Sequence, residues 1–173
     1  MTQSASDQRF KDTILAHLDS AHNLAHWLTR NDQDAQDVVQ EAMLRAFKSF
    51  GTFRGGDGRA WLLAIVRNTC FSWLRANRNL TETLDDAPET EADAGAFDPQ
   101  TIAARAADAR QVRDAIAQLP LALRETLVLR EMEDMSYKEV ARITGSPVGT
   151  VMSRLSRARR QLYEILAEKR EES

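Results

Sequence analysis

Apolar residues recur at spacings of three and four through most of this chain. Ile14, Leu18, Ala21, Ala25 and Leu28 follow that rhythm, as do Ala35, Val38, Val39, Ala42, Met43, Ala46 and Phe47. Side chains spaced this way share one face of a helix, so each segment predicts a helix with a single buried stripe. A third helix is predicted from about Ala60 to Arg75, opening after the glycine-rich GTFRGGDG. Farther on, Ile102 to Leu119 reads as helical and stops at Pro120, whose ring cannot continue a helix. A shorter helix is expected from Leu121 to about Glu131. The sequence has no strand-like alternation and no internal repeat. The predicted fold class is all-α.

The rhythm breaks at residues 81–100, TETLDDAPETEADAGAFDPQ. This stretch holds seven acids (Glu82, Asp85, Asp86, Glu89, Glu91, Asp93, Asp98), no base, two prolines and a glycine. It has too little apolar surface to offset the entropy of ordering it, so a flexible linker is predicted. The chain carries 23 Lys+Arg against 26 Asp+Glu, a formal charge of −3. Setting aside the seven linker acids leaves +4 on the flanks, so the acidity belongs largely to the linker. The expected organisation is two small helical domains, 1–80 and 101–173, joined by an acidic tether.

Cysteine and targeting signals narrow the setting. Cys70 is the single cysteine, which excludes an internal disulfide and suits a reducing cytoplasm. The opening MTQSASDQRF lacks the apolar run of a signal peptide. No stretch approaches the roughly 20 apolar residues of a membrane span. A soluble cytoplasmic protein is expected. His22 and His26 are four apart, a spacing compatible with a metal, but no third ligand lies nearby, so no metal site is expected. No phosphate-cradling glycine loop or nucleophile motif appears, and no cofactor, small-molecule substrate or catalytic residue is predicted.

The chemistry concentrates near the C-terminus. MSYKEVARITGSPVGTVMSRLSRARR reads as helix, glycine turn, helix. Ser136 with Glu139 three residues on is a capping-box pattern, and Tyr137, Val140 and Ala141 give an inward face. Gly145 suits a left-handed stop, Ser146 is placed to cap the next helix, and Pro147 fits its first position. In that second helix Val148, Val151, Leu155, Ala158 and Leu162 form the predicted buried stripe. Turning about 100° per residue, the opposite face presents Gly149, Ser153, Ser156, Arg157 and Arg160, with Thr150 beside them and Arg154 and Arg159 on the flanks. Small polar residues permit close approach to the major groove, central arginines reach guanine edges and flanking ones hold phosphates. A plain solvated helix is the competing reading of such a charge run. The absence of any acid over 145–160, and the capped turn before it, favour DNA.

These residues carry a resemblance. MSYKEVARITGSPVGTVMSRLSRARRQL resembles the promoter-reading module of extracytoplasmic-function sigma factors, the small two-domain specificity subunits of bacterial RNA polymerase. DAQDVVQEAMLRAF and FRGGDGRAWLLAIVRNTCFSWLR are similar to that family's polymerase-binding and −10-reading segments, in family order. The resemblance implies a non-enzymatic protein that directs core RNA polymerase to −35 and −10 promoter elements, touching the β′ coiled coil and the β flap. It implies polymerase contacts at Asp37, Gln40, Glu41, Met43 and Phe47. At the −10 element it implies that Phe53 stacks on a flipped base and Asn68 hydrogen-bonds to it, with Arg54, Arg59, Arg67, Arg75 and Arg78 supplying positive charge. Trp61 and Trp73 are expected in the core. At the −35 element it implies base contacts by Ser153, Ser156 and Arg157, with Thr150, Arg154 and Arg159 on phosphates. An anti-sigma factor, often a membrane protein, is the further partner it implies. Ser72 stands where the family often has an acid, and the glycine-rich loop departs from the family pattern, which bears on which −10 bases are read. Two other classes fit the helix-turn-helix alone: a dimeric transcriptional regulator, and a DNA recombinase using it for targeting.

Overall fold

The computed structural model describes residues 2–77 and 99–173, with side chains for 3–77 and 107–173. The stretch assigned as linker, 81–100, lies outside the described residues except for its last two. Eight α-helices follow in order among the described residues: α1 Thr2–Thr13, α2 Leu18–Thr29, α3 Asp32–Ser49, α4 Gly58–Ala76, α5 Pro99–Ala117, α6 Leu121–Leu127, α7 Tyr137–Thr144 and α8 Val148–Glu171. No strand occurs among these residues, in agreement with the all-α expectation. Among them, no helix is long and apolar enough to cross a membrane.

Local chemistry sets the boundaries. Arg30 closes α2 in the left-handed conformation (φ 57°), its amide returning to the His26 carbonyl at 2.7 Å. Asn31 then caps α3, its side chain accepting from the Asp34 amide at 3.0 Å. Asp57 caps α4 by accepting from the amides of Arg59 (3.0 Å) and Ala60 (3.3 Å). Pro120 separates α5 from α6 as predicted. After Leu127 the chain continues through a π turn, Val128–Met132, before the helix-turn-helix.

Helices α2, α3 and α4 pack around Leu24, Leu28, Val38, Leu62, Leu63 and Val66. Helices α6, α7 and α8 enclose Leu129, Met135, Val140, Val151 and Leu155. Trp61 and Trp73, expected in the core, are partly buried and pack against it. α1 was not foreseen. It docks through Phe10, which sits edge-on to Phe47 (5.3 Å) and Phe50 (5.2 Å).

The two groups of helices also meet each other, α7 against α4 and α6 against α2, and their apolar residues form one continuous core. A sequence divided by an acidic stretch gave no sign of this contact.

Candidate nucleic-acid interface

The C-terminal helix pair is built as its motif suggests. Ser136 accepts from the Glu139 amide at 3.1 Å, and the Glu139 carboxylate accepts from the Ser136 amide at 3.2 Å, so the capping box is complete. Gly145 ends α7 in the left-handed region at φ 65°, turning the chain into α8. Three expectations need correction. Ser146 does not cap α8, and Pro147 is not its first residue: Pro147 occupies the cap position in an extended conformation, and the Ser146 hydroxyl accepts from Arg154 Nη1 at 2.9 Å. Val148 does not join the buried stripe, being 38% exposed at the first helical residue. The stripe consists of Val151, Leu155 and Ala158, extended by half-buried Leu162.

With that stripe inward, Ser153, Ser156, Arg157, Arg159 and Arg160 are exposed on α8, and Thr150 and Arg154 are half-buried. The side chain of Arg157 curls back to donate to Ser153 Oγ at 3.1 Å. Arg159 pairs with Glu131 of the π turn. The outward face therefore combines small hydroxyls with guanidinium groups held by weak surface contacts, which leaves it suited to phosphates and base edges.

The second basic set lies between the helix groups. Arg67 of α4 makes a bidentate pair with Glu125 of α6, Nε to Oε2 at 3.0 Å and Nη2 to Oε1 at 3.2 Å, and its guanidinium lies 3.9 Å over the Phe71 ring. Glu125 is 1% exposed. Burial pushes its carboxyl above the usual range, and Arg67 acts in the opposite direction. Asn23 donates to Glu133 at 2.9 Å, and Arg59 stands 3.9 Å from the same carboxylate. Asn68 and Arg75 are exposed, and with Arg30, Arg67, Ser72 and Arg124 they line a cavity of about 780 Å³. Burial, aided by the charge of Arg30, lowers the Arg124 guanidinium to about 10. Phe53 is 8% exposed, stacked on Phe50 at 5.7 Å with Trp61 at 5.2 Å. Arg54 is exposed on the adjoining loop, where Gly55 and Gly56 both take φ +89°, a conformation that favours glycine. Arg78 lies outside the described residues.

Residues 13–80 match the family model for sigma-70 region 2, and residues 109–162 match that for sigma-70 region 4. The chain is 38% identical over 142 residues to the RNA polymerase sigma-H factor of Pseudomonas aeruginosa, covering 78% of this chain and 74% of that one. It is 34% identical over 157 residues to the ECF RNA polymerase sigma factor EcfG of Rhodopseudomonas palustris, covering 90% and 84%. The chain belongs to the extracytoplasmic-function sigma factors. The structure agrees: it is similar to the sigma factor RpoE of Bartonella quintana, solved in complex with the anti-sigma factor NepR. That similarity has a TM-score of 0.76 at 28% identity and covers 92% of this chain and 98% of that one. As a sigma factor it is a transcription-initiation factor and not an enzyme, and its partners are core RNA polymerase and promoter DNA. Matches to both regions in family order set aside the dimeric regulator and the recombinase.

In this sigma factor the residues assigned to polymerase share α3. Asp37, Gln40, Glu41 and Phe47 are exposed and Met43 is half-buried. Glu41 pairs with Arg45 at 2.6 Å. Leu44, missed in the sequence reading, is the most exposed large apolar residue of that helix at 61%, beside Phe47 at 51%. Its position three before Phe47 and four after Gln40 was the available signal. Glu125 and Glu133 were missed as well. Glu125 lies between Leu123 and Leu127, a charge among apolar positions, and that was its only mark.

Proposed function

We propose that this sigma factor places α8 in the major groove of the −35 element, reading bases with Ser153, Ser156 and Arg157, with Arg160 on the same face toward the DNA, and holding phosphates with Thr150, Arg154 and Arg159. The α8 surface supports that reading, because the face opposite its buried stripe carries only small side chains, arginines and one exposed methionine over residues 149–160. The −10 element is taken by the region 2 unit, 1–80, with Phe53 stacking on a flipped base and Asn68 bonding to it. Arg54, Arg59, Arg67, Arg75 and Arg78 then hold the strand. Asp37, Gln40, Glu41, Met43 and Phe47 dock on the β′ coiled coil, the acidic segment 81–100 tethers the units, and the region 4 unit, 101–173, also meets the β flap. In this arrangement Arg67 and Arg59 face Glu125 and Glu133. Their use on the −10 strand therefore follows separation of the two units, and Phe53 must also leave its packing on Phe50 and Trp61. A solved relative carries an anti-sigma factor, and a partner of that kind, held at the membrane or free in the cytoplasm, would keep this protein from polymerase.

The test is promoter opening. Phe53→Ala and Asn68→Ala should reduce permanganate reactivity of −10 thymines while leaving holoenzyme assembly intact, because stacking and base hydrogen bonds act only on melted DNA. Normal opening by both variants overturns these roles.

A further inference from the structure

Met152 is out of place for an apolar residue. It is 52% exposed on α8, whereas its neighbours Val151 and Leu155 are 0% and 1% exposed. Isolated surface methionines need no explanation, but this one is not isolated. Val148, one turn earlier, is 38% exposed, and Ser156, one turn later, is exposed as well. At about 100° per residue these three line one flank of the outward face, with Gly149 and Ser153 beside them. Arg154 and Arg157 lie toward the other flank. The arginine nearest Met152's flank, Arg159, is drawn to Glu131. The flank therefore offers a groove two apolar side chains and a hydroxyl, in the N-terminal part of the helix that approaches base edges.

The major groove presents one apolar group distinctive of a base, the 5-methyl of thymine. Methionine is unbranched and adaptable, so it can follow a methyl group that a shorter side chain would miss. The geometry points to Met152 as a specificity-determining residue that packs its thioether against a thymine methyl of the −35 element, with Val148 behind it. This assignment rests on α8 being the −35 reader.

The experiment uses full-length protein with core polymerase. A randomised duplex library first yields the preferred −35 sequence, and each of its thymines is then replaced singly by deoxyuridine, which lacks only the methyl. At one or two positions the wild type should lose about fourfold in affinity, the worth of one buried methyl group. Met152→Ala should bind thymine and deoxyuridine equally there, while keeping the preference set by Arg157. Met152→Leu should retain part of the discrimination. Wild-type indifference to every deoxyuridine, a preferred element without thymine, or an unchanged penalty in Met152→Ala overturns the assignment. A library that returns no −35 preference at all overturns the −35 reading beneath it. If Met152→Ala instead weakens polymerase binding with DNA preferences unchanged, the residue serves a protein contact and the assignment is wrong.

Discussion

Gly58 has no room for a side chain. A Cβ there would lie 2.8 Å from the Thr13 carbonyl oxygen, backbone that cannot swing aside. Gly58→Ala should therefore destabilise by about 1–3 kcal/mol, despite alanine's better helix propensity, by forcing α1 away from α4. A denaturant midpoint at or above wild type contradicts that close approach. On α8, the arginines divide by position. Arg157→Ala should cost about 1–3 kcal/mol and relax preference at one −35 position. Arg154→Ala and Arg159→Ala should weaken all sequences nearly equally and lower the salt slope by about one unit. The surface pair of Arg159 with Glu131 is worth little and yields to a phosphate. Uniform loss in Arg157→Ala would mean that α8 is turned differently in the groove.

Among the elements, those with strong local signals were legible. The capping box, the left-handed Gly145 and the period of Val151, Leu155 and Ala158 marked α7, its stop and the buried face of α8. Ser146 escaped because capping propensity is local, whereas Arg154 from the second turn of α8 competes for its hydroxyl. Val148 escaped because periodicity alone does not tell the first turn of a helix from its buried middle. α1 was illegible for a different reason. Its twelve residues contain one large apolar side chain, Phe10, whose burial depends on Phe47 and Phe50, about forty residues away in sequence. If that contact holds α1, Phe10→Ala should strip hydrogen-exchange protection from residues 2–13 and leave α2–α4 protected. Protection that persists in α1 contradicts it.

At the scale of the whole molecule, the two units meet through Glu125 and Glu133, and no sequence period marks such contacts. Arg67→Ala leaves Glu125 buried without its partner and should destabilise by about 3 kcal/mol at neutral pH. Glu125→Gln should cost less, because the amide oxygen still accepts from Arg67. The pH dependence has a definite sign. Without Arg67, burial of Glu125 is opposed only by the charges of Arg154 and Arg124, so its folded-state pKa stands further above the unfolded value. The contribution of Glu125 to the stability of Arg67→Ala should then be greatest at low pH and be lost as pH rises from the ordinary glutamate range through the raised value. Thermal melts of both proteins across that range should converge as pH falls; a constant gap contradicts the assignment.

The family assignment, the helix-turn-helix and the proposed promoter contacts together make the chain the component that directs polymerase to a start site. Run-off transcription over a genomic promoter library, with purified core RNA polymerase and this protein, measures that directly. Discrete transcripts that appear with the protein and vanish without it are predicted. No specific transcript, with a core enzyme shown to be active, would contradict the account.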